Sequence, residues 1–374
     1  MDKNHLTMTN QITLIHLDVP MTEPFRISSG EVRSKAAVLI HIECDGLSAF
    51  GETSPMSGSF YSEDTPESAW DFLSDYAVPQ FIRSRFWQPD FVFQKWMDNA
   101  GNRFAWAGLE GAWWDLRAQA EDKAFTQLLG VKPAPIPSGL AVGIYPTIAD
   151  LLQACSRYLP AGYKRLKIKI QPGWDVEPLR AIRRVYGDFP LMVDANAAYT
   201  EKDIPHLQRL DEFGLLMIEQ PLEEDDLQGH QRLQSCMAAP ICLDESASSP
   251  AILLQAIQMQ ACRIVNIKIQ RVGGIERAKA MIELCAASGV PVWMGTMPEL
   301  GIGALHALYL ALHPNCRYPT DVEASSRWYE EDIIDPPLEV NAGWIEIPTA
   351  HKKRPNVNLA RVDKYTIRTA NWKF

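Results

Sequence analysis

Lys169, Asp194, Glu219, Asp244 and Lys268 follow one another at intervals of 25, 25, 25 and 24 residues, and each closes a short apolar run: LKIK, LMVD, LLMIE, ICLD and IVNIK. Carboxylates gathered in a small volume raise one another's pKa steeply unless a cation stands among them. Asp194, Glu219 and Asp244 offer only hard oxygens, and no His or Cys ends an equivalent run. That donor set selects Mg2+, with Mn2+ as a substitute, over Zn2+. Three protein ligands leave about half of an octahedral shell for water and a substrate carboxylate.

Lys167 and Lys169 lie two apart, so on a strand both face one side. If that side is a barrel interior, desolvation and mutual repulsion lower their pKa and make a general base near neutrality. Lys268, four strands on, approaches from the opposite side. A reaction class follows. A substrate carboxylate binds the cation, a lysine removes the proton from the adjacent carbon, and the enediolate is stabilised until the other face reprotonates it or balances its charge. Asn196 and Glu245 are expected to support the ligands beside them. One Asp alone reads as a helix cap or surface acid, and KIK alone as an exposed edge strand. The constant period argues against the first, and the flanking Leu166 and Ile170, with three acids on the strands that follow, argue against the second.

Strands must carry these residues to one rim. A strand–helix unit of a parallel barrel takes about 25 to 30 residues and reacts at its C-terminal strand ends. Strands are expected at 137–143, 165–170, 190–194, 215–219, 239–243, 263–268 and 290–294, with a short irregular one near 317–320. Helices are expected between them at 147–159, 175–186, 201–213, 226–236, 250–260, 274–288 and 302–313. The alternation predicts an α/β barrel over 131–348. Before it, ITLIHLDVPM, AVLIHIECDG and LSAFGETSPM alternate in period two, as an antiparallel meander does. A helical region follows from Thr65 to about Leu129. The basic tail carries the alternating segment VDKYTIRT, expected as a strand on an acidic body. Residues 1–130 plus 349–374 are thus read as one α+β unit built from both chain ends.

At 374 residues, the chain exceeds the roughly 250 of a lone barrel, which leaves room for that second unit. The net charge of −10 argues against nucleic acid. No run reaches the ~18 apolar residues of a membrane span, and the start lacks a signal-peptide core. Seven scattered cysteines read as buried thiols in a reducing compartment. A cytoplasmic enzyme with a small-molecule carboxylate substrate is expected.

KIK at 167–169, DAN at 194–196, EQPL at 219–222, LDES at 243–246 and NIKIQRVGG at 266–274 resemble the muconate-lactonizing subgroup of the enolase superfamily in order and spacing. GETSPMSGSFYSEDT, LEGAWWDLRAQ and WMGTMPELGIG extend the resemblance along nearly the whole chain. Within the subgroup, YSEDT, the GxMxExGIG stretch and DVEASSRWYEEDI resemble the o-succinylbenzoate synthase / N-acylamino acid racemase family.

The resemblance implies a (β/α)7β TIM-type barrel with an α+β capping domain. It also implies dehydration of a cyclohexadiene carboxylate to o-succinylbenzoate for menaquinone synthesis. Lys169 would be the acid/base, Lys167 would assist at the carboxylate, and Lys268 would face the ring as a cation–π partner. In N-acylamino acid racemisation Lys169 and Lys268 would be opposed acid/base groups, and Arg271 matches a position associated with racemising members. Where relatives often carry a second Gly and then Met, this chain has Gly295, Thr296, Met297, Pro298 and then Glu299, so the wall beside the substrate's side group is expected to differ. Asp321 and Glu323 form a DxE where related dipeptide epimerases use DxD for a free ammonium. PFRISSGEVRSK is expected to close over the substrate as a lid. Gly273–Gly274 reads as a tight βα turn rather than as a phosphate cradle. Barrels of this kind commonly associate, so a homo-oligomer is expected. A Schiff-base aldolase would need no metal triad, and a non-catalytic relic would be expected to have lost at least one of the six core residues.

Overall fold

The structure is a computed structural model and describes residues 10–88, 91, 93, 101–348 and 356–374. β1 (Gln11–Arg26), β2 (Glu31–Cys44) and β3 (Leu47–Thr53) form the antiparallel meander. Its alternate residues Ile12, Leu14, Val38, Ile40 and Ile42 are buried against helices of the same unit. Helix α1 (Pro66–Phe72) starts at Thr65, whose side chain caps the Ser68 N–H. Helix α2 (Arg103–Ala120) is buried on most of its faces. That burial fits its Ala- and Gly-rich sequence, which lets β3 approach closely.

The barrel strands are β4 (Leu140–Val142), β5 (Leu166–Lys169), β6 (Leu191–Asp194), β7 (Ile218–Glu219), β8 (Ile241–Leu243), β9 (Ile264–Ile267) and β10 (Val292–Met294), all parallel and in chain order. The irregular eighth segment closes the ring through isolated parallel bridges, Val292 with Cys316 and Ser138 with Thr320. Outside lie α3 (Ile148–Tyr158), α4 (Val176–Tyr186), α5 (Leu227–Cys236), α6 (Pro250–Gln258), α7 (Ile275–Ala287) and α8 (Gly301–Ala311). The helix expected over 201–213 is a broken one, with 3-10 turns on either side of a single α-turn at Ile204–Leu207.

Period two in each strand sets the site on a pedestal. Met192, Met217, Cys242 and Ile264 pack with Trp293 as one apolar cluster. Two residues on from the first three stand Asp194, Glu219 and Asp244, all fully buried.

The tail divides where a single strand was expected. VDKY belongs to helix α9 (Leu359–Tyr365), and only TIRT enters a strand, β11 (Thr366–Lys373). Asn358 caps the Arg361 N–H and starts the helix, and Val362 is its buried contact. β11 pairs antiparallel with β1, so the sheet order is β11-β1-β2-β3. Residues 349–355, the start of the expected tail, lie outside the described residues.

Candidate active site

The parallel register sets Lys169 beside Asp194 and Asp194 beside Glu219. Lys169 Nζ donates to Asp194 Oδ2 at 2.6 Å and to Asn196 Oδ1 at 2.8 Å. Lys167 lies deeper, 3.2 Å from Glu219 Oε2 and 3.4 Å from Asp194 Oδ2, and pairs with Asp321. Across the ring, Lys268 Nζ donates to Asp244 Oδ2 at 2.8 Å and to the Tyr61 hydroxyl at 2.9 Å. Arg271 pairs with the other Asp244 oxygen. Asn196 Nδ2 donates to Glu245 Oε1 at 2.9 Å. Three non-glycine residues here hold left-handed backbone, Asn196 at φ 44°, Ala197 at φ 59° and Gln220 at φ 37°. Such strain costs about 1–3 kcal/mol per residue and persists only where surroundings fix it. The Gln220 amide does so, because Oε1 accepts the Asp244 and Ser246 N–H groups while Nε2 donates to Ser246 Oγ.

Burial lowers the pKa of Lys169, and Lys167 adds to the fall against the opposing pull of Asp194. Lys167 corrects the expectation of a lowered pair. Burial pulls it down too, but Asp321, Glu219 and Asp194 outweigh that and raise it above the ordinary lysine value. Lys268 is raised likewise, burial being overcome by Tyr61, Glu245, Glu219 and Asp194. The pair therefore splits, the Lys169 proton held more loosely than usual and the Lys167 proton more tightly.

As the side chains stand, the three carboxylates are shared out among the amines. Among the described residues no group of three or more His, Cys, Asp and Glu is drawn close enough to hold a metal ion. The donor chemistry nevertheless fits a hard cation. Three adjacent strand ends supply carboxylates only, and burial together with Asp194 raises the pKa of Glu219. Glu245 Oε2 and Asn266 Oδ1 are buried acceptors without a hydrogen-bond partner. A surplus of unsatisfied oxygen is what a divalent cation would relieve.

Thr296, Met297 and Pro298 line a cavity with Phe25, Ile27, Met56, Tyr61 and Trp328, and all three lysines open into it. Glu299 lies behind this wall and accepts the Met297 N–H at 3.0 Å. Asp321 is taken by Arg165 at 2.8 Å and by Lys167, while Glu323 accepts the Ala141 N–H at 2.7 Å and faces Arg327. Gly273 and Gly274 turn into α7, whose first N–H groups bind Glu110, Ile275 at 2.6 Å and Glu276 at 3.2 Å. A protein carboxylate fills the place of a phosphate.

Tyr61, Gln220, Asn266 and Arg165 were not singled out from the sequence as site residues. Asn266 carried a usable signal, since it precedes Lys268 by two and shares its face; its Nδ2 donates to Glu219 Oε1 at 2.6 Å. Arg165 likewise precedes Lys167 by two.

Residues 11–130 match the model of the mandelate racemase / muconate lactonizing enzyme N-terminal domain, and residues 150–351 that of the enolase C-terminal domain-like family. The chain belongs to the enolase superfamily. An o-succinylbenzoate synthase from Geobacillus stearothermophilus is 43% identical over 95% of both chains. An N-succinylamino acid racemase from an Amycolatopsis species is 40% identical over 90% of this chain and 92% of its own. A solved enolase-superfamily member from Listeria innocua superposes with a TM-score of 0.91 at 33% identity, covering 98% and 99% of the two chains.

Proposed function

We propose that this protein is a divalent-metal-dependent o-succinylbenzoate synthase, a carbon–oxygen lyase of menaquinone biosynthesis acting in the cytoplasm, with N-succinylamino acid racemisation as a second activity. The observation that carries the reading is the pair of lysines, Lys169 and Lys268, held at opposite flanks of the Asp194–Glu219–Asp244 rim. The synthase relative, similar over 95% of both chains, supplies the substrate class. Residues 131–348 are taken as the catalytic barrel, and 1–130 with 349–374 as the cap that shapes the pocket.

Asp194, Glu219 and Asp244 would hold the cation, Mg2+ by hardness, with Mn2+ able to replace it. When bound, it supplies a Lewis acid for the charge that develops on the substrate carboxylate. Lys169 Nζ takes the proton from the carbon next to that carboxylate. Lys167, kept charged by Asp321, holds the carboxylate. Lys169 then returns that proton to the departing hydroxyl on the same face, so that it leaves as water, while Lys268 stays charged opposite and faces the ring. Asn196 and Glu245 fix the approach of Lys169, and Arg271 fixes Asp244.

Racemase action as the main role is the second reading, favoured by Arg271 beside Lys268 and by the Amycolatopsis relative. Dipeptide epimerisation is disfavoured, because Asp321 and Glu323 already face Arg165, Lys167 and Arg327. The test is turnover of the cyclohexadiene carboxylate and of N-succinyl amino acids in 2H2O, with and without EDTA. Dehydration lost in EDTA and restored by Mg2+ is expected. Metal-independent turnover would sink the mechanism, and racemisation without dehydration would transfer the main role to the second reading. The same preparation gives the oligomeric state, proposed as a homo-oligomer.

A further inference from the structure

Lys35, near the start of β2, is 5% exposed, and the reaction above has no use for it. Its ammonium donates to three backbone carbonyls: Ser54 at 2.9 Å, Met297 at 3.0 Å and Pro55 at 3.4 Å. Ser54 and Pro55 belong to the loop leaving β3, and Met297 to the loop leaving β10. Both loops line the cavity, the first through Met56 and Tyr61, the second through Thr296, Met297 and Pro298. Met56 and Met297 also pack together around Phe104.

A buried ammonium is expensive to keep unless its donors are all used. Here three carbonyls take three donors. Glu52 on β3 secures the far end of the second loop, its carboxylate accepting the Leu300 and Gly303 N–H groups, both at 2.7 Å, at the start of α8. The metal-side residues sit on barrel strands, but these two loops meet only through contacts between cap and barrel.

We propose that Lys35 is a positioning residue for substrate selection: it staples the loop after β3 to the loop after β10 and so fixes the wall that meets the part of the substrate remote from its carboxylate. The selection half rests on the function proposed above, whereas the staple itself does not.

The experiment uses the full chain with Mg2+ and the variants Lys35→Met and Lys35→Arg. For whichever of the two acids the wild type turns over, KM should rise tenfold or more in Lys35→Met with kcat within about threefold, because the wall binds ground and transition states alike. Lys35→Arg, which keeps the charge and several donors, should recover most of the loss. Amide exchange should accelerate tenfold or more in residues 54–61 and 296–300 together, and stay unchanged in β5 to β9. A purely structural lesion would lower apparent kcat at constant KM, and that result overturns the selection role. Unchanged exchange in either loop overturns the staple. A wild type inactive on both acids would count against the proposed function, and exchange would still decide the staple. Should Lys35→Met not accumulate as folded protein, Lys35→Gln is read by the same two measurements.

Discussion

Asn266 is joined to the rim by one 2.6 Å hydrogen bond to Glu219, and its other amide atom is a buried acceptor without a partner. Groups that orient metal ligands typically carry about 10–100-fold in metal affinity. Asn266→Ala should therefore raise the Mg2+ concentration for half-maximal turnover by about that factor, with most of kcat regained at saturation, as a metal titration of activity would show. Lys169→Gln should lower turnover and exchange of the substrate's acidic proton by about 10²–10⁴-fold, the usual contribution of a positioned base; full exchange in that variant would move the role elsewhere. Lys169 and the carboxylates were legible because strand period and barrel period coincide at them. Tyr61 was not, since its partner Lys268 lies 207 positions away and nothing local marks the pairing.

Among the elements, α7 and α8 share a device: each N-terminus is satisfied by a buried glutamate from the cap, Glu110 for α7 and Glu52 for α8, and burial pushes the pKa of each up to about 8. Gly274 makes the first possible. It holds φ 138°, and a Cβ there would fall on the Glu110 carboxylate. Gly274→Ala should cost at least about 2 kcal/mol in denaturant unfolding, combining backbone strain with a lost cap. Adding Glu110→Ala should then cost less than it does alone, because the shared contact is already gone. The helices of the barrel were readable from periodicity, but trans-capping was not, as donor and acceptor are 165 positions apart. The tail was misread for a related reason. VDKY alternates like a strand, yet the Asn358 cap and the one buried contact at Val362 decide for a helix.

For the molecule as a whole, His306 on α8 reports how tightly cap and barrel close. It stacks on Phe125 at 5.2 Å, and burial pushes its pKa down to about 4. The unfolded chain takes up a proton below about pH 6.5 that the folded state refuses until about pH 4. Stability is thus unaffected by this group above pH 6.5 and falls as pH drops through that window, by on the order of 3 kcal/mol at its lower end. His306→Phe should unfold with a shallower acid slope over pH 4–6.5 than the wild type; parallel slopes would refute the assignment.

The pairing of β1 with β11 joins residues such as Thr13 and Asn371, 358 positions apart. On the ribosome, at about 5–20 residues per second, the second partner emerges roughly 20 to 70 seconds after the first. Throughout that interval β1 is a bare sheet edge of the kind that recruits foreign strands. That edge must therefore be shielded until β11 has been made, and only then can the sheet reach its four-strand order.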